Sequence, residues 1–180
     1  MNAQVTATGK TPRVLVLMGV SGCGKTTVAA LLAGNFGWDF EEGDALHPQS
    51  NVEKMHAGHP LTDEDRWPWL EKVAGWIEAQ LEAGKDGVVT CSALKRSYRD
   101  ILNRRGSGVF FVYLAGSQEV IKARLAARHG HFMPSSLLES QFADLEEPAA
   151  DEPSLRVDIG PPPQQIVRKI IDELSLNESH

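Results

Sequence analysis

The sequence predicts an α/β fold in which a parallel sheet of about five strands is flanked by helices and carries a small lid. Three observations lead there. Short β-type runs alternate with helical segments along the chain. The apolar run Val14-Leu15-Val16-Leu17-Met18 leads straight into the glycine-rich stretch Gly19-Val20-Ser21-Gly22-Cys23-Gly24-Lys25-Thr26, and a helical pattern follows. A length of 180 residues suffices for one α/β domain with a full core but is too short for two of ordinary size.

Taken in order, Arg13–Met18 reads as the first strand. The helix from Lys25 carries Val28, Leu31 and Leu32 and ends near Gly37. Trp38–Glu42 is a short second strand that leads into the loop Gly43-Asp44-Ala45-Leu46-His47-Pro48. Ser50 with Glu53 has the spacing of a capping box for a short helix ending near Gly58. Thr62 with Asp65 marks another helix start, with Leu70, Val73, Ile77 and Leu81 as its buried stripe and Gly84 as its stop. Val88-Val89-Thr90-Cys91 is the third strand, followed by the loop Ser92-Ala93-Leu94 and a helix through Arg105. Val109–Leu114 is the most strongly β-like run.

Ser117 then caps a helix with Val120, Ile121 and Leu125 on one side and Arg124 and Arg128 on another. The segment His129–Pro134 interrupts that pattern, and Ser136 with Glu139 restarts a helix reaching about Leu145. Leu155–Ile159 is the last strand, Gly160–Pro163 a turn and Gln164–Leu176 the terminal helix. Residues 13–176 therefore read as one domain with a lid over about 128–140, and residues 1–12 as a polar, disordered lead-in.

Composition narrows the function. A net charge of −6 argues against nucleic acid or an anionic membrane as partner. No apolar stretch approaches membrane-spanning length, and Met1–Lys10 lacks the apolar core of a signal peptide. Neither of the two cysteines, Cys23 and Cys91, needs a disulfide to explain it, which suits a reducing, cytoplasmic location.

The glycine-rich stretch has the residues and the setting of a phosphate-binding loop. Its glycines let successive backbone N–H groups curl around phosphates, and the helix N-terminus adds partial positive charge. Lys25 then reaches the β- and γ-phosphates, and the Thr26 hydroxyl can ligate Mg²⁺. A Gly-rich strand-to-helix turn without a ligand gives no reason for Lys and Thr in succession. A dinucleotide-binding turn would need a third glycine after Gly22 and Gly24. A nucleoside triphosphate is thus assigned to Gly19, Ser21, Gly22, Cys23, Gly24, Lys25, Thr26 and Thr27, and Arg124 and Arg128 are candidates for further phosphate contacts.

Motors and switches of this kind usually end a hydrophobic strand with an Asp, whereas the third strand here ends Val89-Thr90-Cys91-Ser92. The nearest strand-end acid is Asp44. In a parallel sheet it faces the same crevice as Lys25, where a carboxylate can take a proton from an attacking hydroxyl. The alternative is a turn-forming Asp after Gly43. Arg124 and Arg128, four apart, share a helix face; transition-state charge stabilisation and a solvated basic face stay equally open for them.

Several stretches resemble a gluconate kinase (gluconokinase) of the small phosphate-loop type, within the nucleoside-monophosphate-kinase-like branch of the P-loop NTPase fold. They are the phosphate loop itself, Gly43-Asp44-Ala45-Leu46-His47-Pro48, Asn51–Met55, Gly58–Arg66, Pro68-Trp69-Leu70 and Cys91–Asp100. Gly130–Met133, Gln141-Phe142, Leu145-Glu146 and Val157–Ile159 complete the match, which spans nearly the whole chain. The resemblance implies ATP- and Mg²⁺-dependent phosphorylation of D-gluconate at its terminal hydroxyl, and often a homodimer. It implies Lys25, Asp44 and Arg128 as catalytic residues. Asp44, His47 and Ser92 are then candidates for the hydroxyls, with His131 in the closing lid. Arg66 and Arg99 are candidates for the acceptor's carboxylate, with Lys54 and Lys95 as further cationic possibilities; without the family context Arg66, Lys54 and Arg99 read as solvated surface charges. Gly160-Pro161-Pro162 resembles the loop that packs near adenine. Another small-metabolite kinase, such as a shikimate kinase, and a nucleotide-binding regulator are the competing readings.

Overall fold

The computed structural model describes residues 13–127 and 135–176. Five strands form one sheet: β1 (Val14–Met18), β2 (Asp39–Glu42), β3 (Gly87–Thr90), β4 (Val109–Ala115) and β5 (Ser154–Asp158), in the order β2-β3-β1-β4-β5. Every pairing is parallel, with Val16 opposite Val89 on one side and Phe111 on the other. The helices are α1 (Lys25–Phe36), α2 (Gln49–His56), α3 (Asp63–Glu82), α4 (Arg96–Leu102), α5 (Gln118–Ala127), α6 (Ser135–Asp144) and α7 (Pro163–Glu173). A 3₁₀ turn, Gly43–Leu46, follows β2.

Strand periodicity divides the core into two layers. Leu15 and Leu17 point to one face, where Val28, Ala29 and Leu32 of α1, Ile121 of α5, Leu138 of α6 and Ile166 and Ile170 of α7 cover them. Val14, Val16 and Met18 point to the other, against Trp69, Val73 and Ile77 of α3 and Tyr98 and Leu102 of α4. All five β1 side chains are fully buried, a gain of about 1.5–3 kcal/mol each. The central strand is therefore fixed between two helical layers, and its carboxyl end is a rigid platform for the loop that follows.

Two local expectations need correction. Ser50 does not cap α2: that helix starts at Gln49 with Pro48 at the cap position, so Ser50 already has helical backbone and its hydroxyl cannot serve. Val120 does not join the buried face of α5; it is 42% exposed, while Ile121 and Leu125 pack inward. The cap on α3 is present in full: the Thr62 hydroxyl accepts from the Asp65 N–H (3.1 Å), and the Asp65 carboxylate accepts from the Thr62 N–H (2.8 Å). Among the described residues no helix is long and apolar enough to cross a membrane. The order in which strands are added switches sides at β1, so a crevice opens beyond the carboxyl ends of the strands there.

Candidate active site

The phosphate loop leaves β1 at Gly19, whose φ of +140° and close surroundings admit only glycine. A Cβ there would stand 2.8 Å from Cys23 Sγ and 2.9 Å from the Leu114 carbonyl oxygen. The loop ends at Gly24, which takes the left-handed conformation at the start of α1. Among the described residues no side chain caps that helix, so its first-turn N–H groups face the crevice as an anion site. The Lys25 ammonium curls over the loop and donates to the carbonyls of Gly19 (3.0 Å) and Val20 (3.1 Å). Cys23 is buried beneath it and is not disulfide-bonded.

The carboxylate missing from the end of β3 is supplied by its neighbour. Glu42, the last residue of β2, stands in register with Thr90 of β3. It accepts from the Thr26 hydroxyl (2.8 Å) and the Thr90 hydroxyl (2.9 Å). Thr90 Oγ1 in turn accepts from the Gly43 N–H (3.1 Å). Gly43 must be glycine for this approach, because a Cβ would fall 1.8 Å from the Thr90 carbonyl oxygen. Sequence reasoning gave Glu42 no role. The available signal was an acid at a strand end two residues before Asp44, and its use became visible only once β2 was paired to β3. Thr26 and Glu42 are hard oxygen donors side by side, the type Mg²⁺ takes. No group of three or more His, Cys, Asp or Glu side chains among the described residues could hold a metal ion.

Beside the loop lies a cleft of about 260 Å³, lined on its polar side by Ser21, Lys25, Asp44, His47, Arg66 and Ser92. Met55, Leu61, Trp69 and Leu94 supply apolar walls, and α6 closes one side with Leu137, Ser140 and Gln141. Asp44 sits on the 3₁₀ turn, with its carbonyl accepting the His47 N–H (3.2 Å). The His47 ring stacks on Trp69 at 4.0 Å, and Trp69 is itself pinned by its indole N–H to the Gly43 carbonyl (2.8 Å). Burial depresses the His47 pKa most, Asp44 opposes that and Arg66 adds to it, leaving it at about 4. The ring is neutral at pH 7.

Of the four candidate cations for an acceptor's carboxylate, Arg66 is the one that lines this cleft. It is 7% exposed, and its Nη1 donates to the Tyr98 hydroxyl (2.7 Å) and to Asp144 (3.1 Å). Burial pulls its pKa down, but Tyr98 and Asp144 more than offset it, so the guanidinium stays charged. One edge is thereby fixed by protein, while Nε and Nη2, without a partner among the described residues, can serve as a fork for a ligand. Gln141, three residues before Asp144 on α6, accepts from the Ser21 N–H (2.7 Å) and donates to the Ser21 hydroxyl (3.1 Å). One helix thus both touches the phosphate loop, through Gln141, and supplies the carboxylate partner of Arg66, through Asp144.

The other candidate cations are occupied elsewhere. Arg99 is 1% exposed and does not line the cleft; it pairs with Glu152 (2.6 Å) and donates to the Ala93 carbonyl (2.8 Å). Ala93 holds a φ of +47°, an uncommon conformation for a residue with a side chain, between cleft-lining Ser92 and Leu94. Arg99 therefore braces the loop from behind and stands outside the cleft lining. Lys54 is bound to Asp65 (2.6 Å) and Lys95 to Asp63 (3.1 Å), and neither lines the cleft. Arg128, His131 and most of the expected lid lie outside the described residues.

A second cleft of about 270 Å³ opens on the other side of the loop, lined by Gly22, Cys23, Gly24, Thr27, Arg124 and Pro163. Arg124 donates to the Ile159 carbonyl, so α5 is tied to the segment entering α7. Pro163, the residue that follows the Gly160-Pro161-Pro162 stretch expected near the base, stands in the wall of this cleft. Phosphates on α1 would lie between the two clefts, with one pocket for the rest of a nucleotide and one for an acceptor.

Comparison with known proteins matches this arrangement. The model of the AAA domain family (AAA_33) matches residues 14–148. The gluconokinase of Gluconobacter oxydans (strain 621H) is 52% identical over 95% of this chain and 96% of its own length. The thermoresistant gluconokinase of Escherichia coli (strain K12) is 44% identical over 88% of this chain and 91% of its own. The crystal structure of a gluconokinase from Sinorhizobium meliloti 1021 superposes with a TM-score of 0.84 at 45% identity, covering 93% of this chain and 94% of that one. With the phosphate loop, the five-stranded parallel order and both clefts in place, the chain belongs to the gluconokinase family of phosphate-loop kinases.

Proposed function

We propose that the protein transfers the γ-phosphoryl group of ATP to the terminal hydroxyl of D-gluconate, giving 6-phospho-D-gluconate and ADP. The observation that carries this reading is a cleft that puts one charged fork, Arg66, and three hydroxyl-binding groups, Asp44, His47 and Ser92, next to the phosphate loop. A polyol with one carboxylate needs that set: a cation at the acid end and hydrogen-bonding groups along the chain. The apolar walls of Trp69, Met55 and Leu94 exclude water, which a kinase must do to avoid hydrolysing ATP.

Each residue then has a task. Lys25 and the α1 N–H groups hold the phosphates, with Arg124 beside them. Thr26 and Glu42 would hold Mg²⁺, which when bound neutralises phosphate charge. Arg66 orients the acceptor by its carboxylate, so that the far hydroxyl lies near Asp44. Asp44 accepts the hydroxyl proton as the new O–P bond forms and the bond to ADP breaks. We assign Arg128 and His131 to the phosphates and the acceptor in the same reading. A net charge of −6 supports a small-molecule acceptor over nucleic acid or an anionic membrane. A cytoplasmic homodimer with residues 13–176 as one kinase domain completes the proposal.

The test is a coupled ADP-release assay with Mg²⁺, comparing D-gluconate, shikimate, nucleoside monophosphates and no acceptor. Turnover that depends on gluconate alone is the expected result. ATP binding without gluconate-dependent turnover would overturn the acceptor assignment.

A further inference from the structure

Asn51 of α2 is 3% exposed, and the phosphoryl-transfer scheme gives it no task. Its side-chain nitrogen donates to the Asp65 backbone carbonyl (2.9 Å) and lies 3.2 Å from His47 Nδ1. A carbonyl oxygen only accepts, so the Asp65 contact fixes which end of the amide is the NH₂. An amide NH₂ has two hydrogens to give and nothing to accept with. One hydrogen goes to Asp65, the other to His47, and Nδ1 must be the acceptor. A neutral imidazole that accepts at Nδ1 carries its proton on Nε2.

The surroundings leave the ring little choice in plane or charge. Trp69 of α3 stacks on its face, with an interplanar angle of 18°. The charged groups that face it are Asp44 from the 3₁₀ turn, which favours protonation, and Arg66 from α3, which opposes it. Asn51 and Trp69 are uncharged.

We infer that Asn51 is a positioning residue which locks His47 in the Nε2–H tautomer, so that the ring offers the cleft a hydrogen-bond donor and no base. The identity of the group that receives this bond, a hydroxyl or carboxylate oxygen of gluconate, rests on the function proposed above. The lock itself does not. Proton acceptance then falls to Asp44 alone among these two neighbours, which separates a donor and an acceptor only three residues apart in the chain.

The experiment is a long-range ¹H–¹⁵N correlation on protein labelled at histidine, recorded near neutral pH on the parent and on Asn51→Ala, with steady-state kinetics on both. In the parent, His47 Nδ1 should resonate as an unprotonated nitrogen and Nε2 as a protonated one. In Asn51→Ala both tautomers should be populated. The KM for gluconate should rise about tenfold, the scale of one net hydrogen bond, while that for ATP stays within about twofold. A protonated Nδ1 or a tautomer mixture in the parent overturns the lock even if the variant fails to fold. A folded Asn51→Ala that keeps the single Nε2–H form overturns it too. A parent with the lock intact but no gluconate turnover upholds the lock and removes the acceptor reading instead.

Discussion

Arg66 and Arg99 are the same residue type, both nearly buried, and they represent opposite uses of a guanidinium. Arg99 makes its ion pair with Glu152, 7% exposed at its side chain, and braces the Ala93 carbonyl. Replacing it by Met leaves the Glu152 carboxylate with only the Ala149 N–H (3.0 Å) and a distant Arg96 Nη1 (3.9 Å), which costs about 1–3 kcal/mol in urea unfolding. The gluconate KM of the folded enzyme should stay within about threefold. Arg66→Lys keeps the charge but removes the fork. It should raise the gluconate KM by about tenfold or more and leave the ATP KM unchanged, and equal effects of the two variants on KM would show that the assignment is wrong. Asp44→Asn should lower kcat by about 10²–10⁴-fold with nucleotide affinity retained, as loss of a general base does. The phosphate loop was legible because its eight residues are contiguous. The four candidate cations could not be ranked, because what decides among them are partners such as Asp144 and Glu152, 78 and 53 residues away.

Helix caps show at the scale of elements why one pattern succeeded and its twin failed. Thr62-x-x-Asp65 and Ser50-x-x-Glu53 have the same spacing. Thr62 keeps extended backbone (φ −84°, ψ 172°), so its hydroxyl can reach the third N–H of α3. Before α2, Pro48 takes the cap position and starts the helix ahead of Ser50. Thr62→Ala should therefore cost about 1 kcal/mol and lower Tm by about 2–4 °C. Ser50→Ala should change stability by less than about 0.5 kcal/mol. A thermal scan of both variants checks the pair, and equal losses would contradict the cap assignment. The capping carboxylate also binds Lys54 (2.6 Å), so the α3 cap doubles as the clasp between α2 and α3. That clasp joins residues 11 apart across a loop, which no helical periodicity reports.

Across the whole molecule, alternation of strand and helix revealed the parallel sheet, and polar β2 (DFEE) and β5 (SLRVD) are what edge strands look like. Strand order was not legible from the pattern, and with it went the role of Glu42, which acts across β3 through Thr90. The same assembled crevice sets how the protein answers acid. His47 is held at about 4 against an ordinary 6.5, chiefly by burial. Between those values the unfolded chain binds a proton that the folded ring refuses, so stability falls as pH drops from 6.5 to 4. Asp65 acts lower: Lys54 first, then the Thr62 N–H, hold it at about 2 against 3.8, so its contribution is present above 3.8 and is lost as pH falls towards 2. His47→Phe keeps an aromatic ring for Trp69 and removes the titration. Urea midpoints followed against pH should therefore fall less steeply for the variant than for the parent between pH 6.5 and 4, and run parallel below that window. The other histidines and the carboxylates are common to both proteins and cancel in the difference. Curves parallel through the upper window would mean that the crevice does not keep His47 neutral, and the donor role of its ring would fall with it.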